Sequence, residues 1–206
     1  MANKFPVSLG NDVLYEMCRN QPQHTMPPKD KKQLDIIASK VWIIGRSYAA
    51  AIERGAGEEI EQGKDFYMTK VAPAIYDSPI DEWLASVKHI ERLTKENLVD
   101  SLRCHKNVMD LFTKIAGGTT KRSLASKYLH FHAPNAFFIY DSRASSRVAE
   151  EFSGKRKYRD SALSGCDEEY QVFCYRCLHF REKLEKEFGE GISPRDLDSK
   201  LLNFQF

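Results

Sequence analysis

The chain has no run approaching the roughly 20 apolar residues that a helical membrane span requires, so no such span is expected. Its first residues, MANKFPVSLGND, lack a continuous apolar segment, which argues against a secretory leader. Cytoplasmic location is the resulting expectation. Cysteine is scarce and odd in number, at Cys18, Cys104, Cys166, Cys174 and Cys177. Five thiols in an intracellular chain do not make a disulfide framework. Low-complexity tracts and internal repeats are missing. So is the apolar–polar alternation of half-buried strands, apart from residues 137–140 (FFIY), which are too isolated to build a sheet.

What is present is the composition of an ordinary globular protein. With 42% hydrophobic and 29% charged residues over 206 positions, the chain can bury a core and need not be disordered. The net charge of +2 conceals an uneven distribution. Between Lys114 and Arg159 ten basic residues face three acids, Asp141, Glu150 and Glu151, so this segment carries +7 and the rest −5. That asymmetry points to a face for an anionic polymer. A solvated charge run is the plainer alternative.

Helical periodicity dominates. In residues 28–55, Leu34, Ile37, Ala38, Val41, Gly45, Tyr48, Ala49 and Ile52 recur every three or four positions, with Pro28 near the start and Gly55 after the end. A short helix interrupted by Pro73 follows, and Ser78-Pro79 opens another that runs to Leu93. Thr94 is the expected cap of a long helix ending near Ala116. Asp141 caps SRASSRVAEEF, a loop rich in Lys and Arg follows, and a long helix begins at Asp167. Its expected apolar stripe holds Phe173, Cys174, Cys177, Leu184 and Phe188. Ser193-Pro194 starts the last helix. The class is all-α.

Residues 115–141, IAGGTTKRSLASKYLHFHAPNAFFIYD, resemble the central motif of the helix–hairpin–helix DNA glycosylase superfamily, most closely its 8-oxoguanine type. The resemblance implies two helical subdomains flanking a cleft, one built from residues 1–60 with 136–206 and a middle one from 61–135 that carries the hairpin at 117–121. It implies that Gly117, Gly118 and Thr119 lie in a DNA-binding hairpin and that Pro134 turns the chain. It also makes Lys121 the nucleophile and Asp141 the catalytic carboxylate, with Lys127 and Lys114 as neighbouring lysines that leave the assignment open. The activity implied is release of a damaged base from double-stranded DNA, with oxidised guanine weighted first and Schiff-base lyase chemistry as an option. The partner would be duplex DNA bound by a monomer.

The chemistry fits these residue types. Cleaving an N-glycosidic bond builds positive charge on the sugar, which a carboxylate stabilises. A lysine attacks C1′ only as a neutral amine, and burial or a neighbouring cation favours that form. Lys127, Arg143, Lys155, Arg156 and Lys157 are the expected phosphate contacts. Trp42, Arg46, Tyr48 and Phe204 are the candidates for a pocket receiving a flipped base. Two alternatives stand beside this reading. One is excision of a hypermodified base from phage DNA, an antiviral role. The other is a non-catalytic helix–hairpin–helix DNA-binding module.

No metal or cofactor is expected. Cys166, Cys174 and Cys177 lack the fourth thiolate of an iron–sulfur site. His130 and His132, two apart on a helix, point in different directions. GGTTKRS lacks the first glycine and the preceding strand of a phosphate loop.

Overall fold

The structure, a computed structural model, describes residues 7–20, 23–25, 27, 29–57, 64–154 and 163–203. Among these residues it is all-helical, with no strand. In chain order the helices are α1 (Val7–Asn20), α2 (Lys31–Ser47), a π turn (Tyr67–Val71) running into α3 (Ala72–Tyr76), α4 (Ile80–Ala85), α5 (Leu98–Ile115), α6 (Arg122–His132), α7 (Ser142–Glu151), α8 (Glu168–Phe188) and α9 (Pro194–Asn203).

Local chemistry explains most boundaries. Asp30, Asp141 and Asp167 each stand in extended conformation before a helix and accept an amide hydrogen bond from its first turn, at 2.8, 2.8 and 2.7 Å. Gly189 ends α8 in the left-handed region. Pro73 sits at the start of α3, directly after the π turn, where the missing proline N–H is tolerated.

Three boundaries and one side chain differ from the periodicity. α2 ends at Ser47 rather than near Gly55: Ala49 takes a positive φ of 51°, and Ala50 N–H returns to the Gly45 carbonyl at 2.7 Å. The chain folds back because Gly45 has no side chain; a Cβ there would stand 3.1 Å from Ala51 Cα. α4 stops at Ala85 and gives way to turns. α5 starts at Leu98, with Thr94 N–H bonded to Asn97 Oδ1 instead of Thr94 acting as the cap. Phe188 is half exposed, beneath the Lys200 ammonium.

Two apolar clusters result. The first joins α1 to α6, with Leu14, Ile37, Val41, Ile44, Val71, Ile75, Phe112 and Tyr128 among its members. The second joins Leu93, Leu98 and Leu102 to α7, α8 and α9 through Phe138, Val148, Phe173 and Leu197. α1 packs on α6, and α2 packs on α3 and α6.

α6 runs through the middle. Residues 124–131 are all buried, so even its polar side chains face protein. It holds the extended segment 137–140 by side-chain hydrogen bonds instead of a sheet. Ser126 Oγ accepts from Tyr140 N–H at 3.0 Å, and His130 Nδ1 lies 2.9 Å from the Phe137 carbonyl. That segment delivers Asp141 to the start of α7.

Candidate functional site

The connection between α5 and α6 is a tight turn. Gly117 and Gly118 take positive φ, 63° and 96°, as the turn requires. The amides of Gly117, Gly118 and Thr119 all donate within the turn, to the carbonyls of Lys114, Thr113 and Ala116. These three amides are therefore already engaged. The Thr119 hydroxyl donates to the Gly55 carbonyl at 3.0 Å, so the turn docks on the loop after α2. Arg122 anchors its other side, pairing with Asp167 at 2.6 Å and Glu169 at 3.0 Å on α8.

Lys121 precedes α6, is 6% exposed, and donates its ammonium to the Arg54 carbonyl. Burial lowers its pKa, Glu53 raises it and Arg54 lowers it further. Its partners thus lie on the loop after α2. Six residues further on the geometry changes. Lys127 is 2% exposed, bonded to Ser123 Oγ at 2.7 Å, with Nζ 5.9 Å from the Tyr48 ring centre. Burial again lowers its pKa, while Asp141 and Asp198 raise it and Arg143 lowers it. The lysine whose pKa the Asp141 charge raises is Lys127.

Side chains from four further elements form a polar cluster on this side of the molecule. Asn11 and Tyr15 come from α1, Tyr48 from the end of α2, Asp141 and Arg143 from the start of α7, and Arg195 and Asp198 from α9. The Tyr48 hydroxyl donates to Asn11 Oδ1 at 2.5 Å and accepts from Arg195 Nη1 at 3.1 Å. Arg195 Nη1 also reaches Asp198 Oδ2 at 3.2 Å. The Tyr15 hydroxyl lies 2.5 Å from His130 Nε2, which seals the inner wall.

The other candidates scatter. Arg143 is exposed and lines a depression of about 330 Å³ between α7 and α9, with Arg147, Glu150 and Leu201. Arg46 pairs with Glu53 on the surface. Trp42 is 49% exposed, over a depression of about 270 Å³ shared with Asp35, Asp65 and Tyr67. Of the three described base-pocket candidates, Tyr48 is the one beside Lys127. Lys155, Arg156, Lys157 and Phe204 lie outside the described residues. Sequence reasoning missed Asn11, Arg195 and Asp198. The last carried a signal, since Asp198 interrupts the apolar spacing of Leu197 and Leu201.

No group of His, Cys, Asp and Glu among the described residues is arranged to hold a metal. Cys174 and Cys177 are buried in the second apolar cluster, where burial raises both thiol pKa values. Comparison with protein-family models, curated proteins and solved structures finds no match, so the site is read from its own chemistry.

Proposed function

We propose that this chain is a helix–hairpin–helix DNA glycosylase that takes a damaged or modified base out of double-stranded DNA and cleaves its N-glycosidic bond. The observation that carries this reading is a buried lysine amine on α6 within range of the charge of Asp141, the carboxylate that caps α7, after a glycine turn between two packed helices. In this reading Asp141 stabilises the positive charge that develops on the sugar. Lys127, rather than Lys121, is the amine that attacks C1′, because its surroundings face Asp141. Burial favours its neutral, nucleophilic form. Lys121 instead ties the entry of α6 to the loop after α2.

Arg143 and the basic run that includes Lys155, Arg156 and Lys157 would hold the phosphates, which makes binding steeply salt-dependent. Oxidised guanine is the first substrate to try by resemblance, and hypermodified phage bases are the second.

The test is borohydride trapping on a panel of lesion-bearing and phage-modified duplexes, with free base measured alongside. Wild type and Lys121→Gln should give a covalent protein–DNA adduct, and Lys127→Gln should give none. Asp141→Asn should keep its cap, since asparagine caps as well as aspartate, yet lose base release. Salt-sensitive DNA binding with neither base release nor adduct on any duplex would reduce the chain to a non-catalytic binding module.

A further inference from the structure

The depression beside Trp42 has a chemistry unlike the rest of the surface. Asp35, Ser39 and Trp42 are exposed and fall at i, i+4 and i+7, so they share the solvent-facing stripe of α2. Asp65, Tyr67 and Met68 close the other side from the entry to the π turn. Two carboxylates and two aromatic rings thus line about 270 Å³, and no lysine, arginine or histidine among the described residues does.

The lining is held in place without being used up. Asp65 Oδ1 accepts from the amides of Tyr67 and Met68 at 2.9 and 3.3 Å, and the Tyr67 hydroxyl donates to Glu53. Arg46, one turn beyond Trp42 on α2, is paired with Glu53 as well. The Asp35 carboxylate has no ion pair or hydrogen bond among the described residues. Trp42, 49% exposed, likewise has no ring contact or hydrogen bond among them.

We propose that this depression binds an N-methylated ammonium group, with Trp42 and Tyr67 against the methyls and Asp35 and Asp65 balancing the charge. A cation over an aromatic ring is drawn by the ring quadrupole, most strongly at tryptophan. Two carboxylates at the rim repel phosphate, so the site is independent of the glycosylase reading. A metal ion does not suit the lining, since an indole gives it no oxygen ligand and no described His, Cys, Asp and Glu are grouped to hold one. A plain ammonium is compact and strongly hydrated. Methyl groups replace that hydration with apolar surface that Trp42, Tyr67 and Met68 can cover. The volume lies below the roughly 300–1,000 Å³ of drug-sized sites, which suits a head group rather than a whole nucleobase with its sugar. A free choline-type cation and a trimethylated lysine side chain both present that head group.

The experiment titrates the nitrogen-15-labelled protein with tetramethylammonium chloride, and with sodium chloride and ammonium chloride at the same ionic strength to match screening. The indole N–H signal of Trp42, identified by its disappearance in Trp42→Phe, is the reporter, and the half-buried Trp83 is the internal control. Tetramethylammonium should give a saturable shift at Trp42 and none at Trp83, and the other two salts should not. Asp35→Asn should weaken binding about threefold to fivefold, the scale of one exposed charge contact. Trp42→Ala, read from the Tyr67 amide, should weaken it about tenfold or more. Both positions are exposed, so these variants should keep the wild-type spectrum elsewhere. Equal shifts with all three salts would overturn the proposal, as would ammonium binding as tightly as tetramethylammonium or wild-type affinity in Trp42→Ala. Choline and a peptide carrying trimethyllysine then separate the sources. Tighter binding of one names it, and equal binding makes the head group the whole determinant.

Discussion

Two buried polar networks lie on opposite sides of α6, and they are completed to very different degrees. In the first, Asp81 of α4 takes hydrogen bonds from the His24 amide, the His24 ring, and the Thr25 amide and hydroxyl, at 2.7 to 3.0 Å. With His24 Nδ1 protonated towards Asp81, Nε2 accepts from the buried Tyr128 hydroxyl at 2.6 Å. His132 gives Nδ1–H to the Tyr128 carbonyl at 2.8 Å and receives Lys40 at 3.5 Å. In the second, around Lys127, the Asp198 carboxylate keeps an unpaired oxygen.

A completed network locks segments together; here it ties residues 24 and 25 to α4 and α6. An incomplete one costs stability and is retained where chemistry needs it. Burial alone does not separate the two cases, since both contain a buried lysine and a buried or half-buried carboxylate. Hydrogen-bond saturation does.

Acid should have the largest effect, through buried histidines of which His24 and His132 belong to the first network. His24, His105, His130 and His132 are buried, and desolvation lowers the pKa of each, to about 4 for His105 and His130. In the unfolded chain a histidine titrates near 6.5. The unfolded state therefore binds more protons once the pH drops below about 6.5, and stability is lost from there down to about 4. Asp198 has the opposite sign. Its folded value of about 6 exceeds the unfolded value near 3.9, so its contribution falls as pH rises between those limits. Four histidines outweigh one aspartate. Urea unfolding should lose on the order of 5 kcal/mol between pH 7 and pH 4, and a flat profile would mean that these rings are not held neutral.

At neutral pH the two carboxylates should respond to mutation with opposite signs. Asp81→Ala strips the partners from the His24 and Thr25 donors, and should cost about 3 kcal/mol by urea unfolding, the scale of a broken buried pair. Asp198→Asn removes a charge whose burial is unfavourable while keeping an acceptor for Arg195. It should stabilise the fold by about 1 kcal/mol at pH 7.5. An Asp198→Asn protein less stable than wild type would erase the distinction between the networks and make Asp198 a structural residue.

The helix starts at Asp141, Asp167 and Pro194, and the all-helical class, were legible in the sequence, because caps and periodicity act over one or two turns. Which lysine feels the charge of Asp141 was not legible. Lys121 and Lys127 are six residues apart, which is about 600° of helical rotation and so some 240° around the axis. One therefore donates to the Arg54 carbonyl and the other lies 5.9 Å from the Tyr48 ring centre, and the local pattern treats both as a lysine at the mouth or in the body of a helix. The sequence by itself determined where α7, α8 and α9 begin, that a basic segment surrounds a glycine turn, and that one aspartate caps α7. Only tertiary packing decided that α2 stops at Ser47, that α6 is enclosed on all sides, and that Lys127 lies against the Tyr48 ring. The reason is range: capping and periodicity are properties of neighbouring residues, whereas desolvation and the meeting of charges depend on which distant elements cover a side chain.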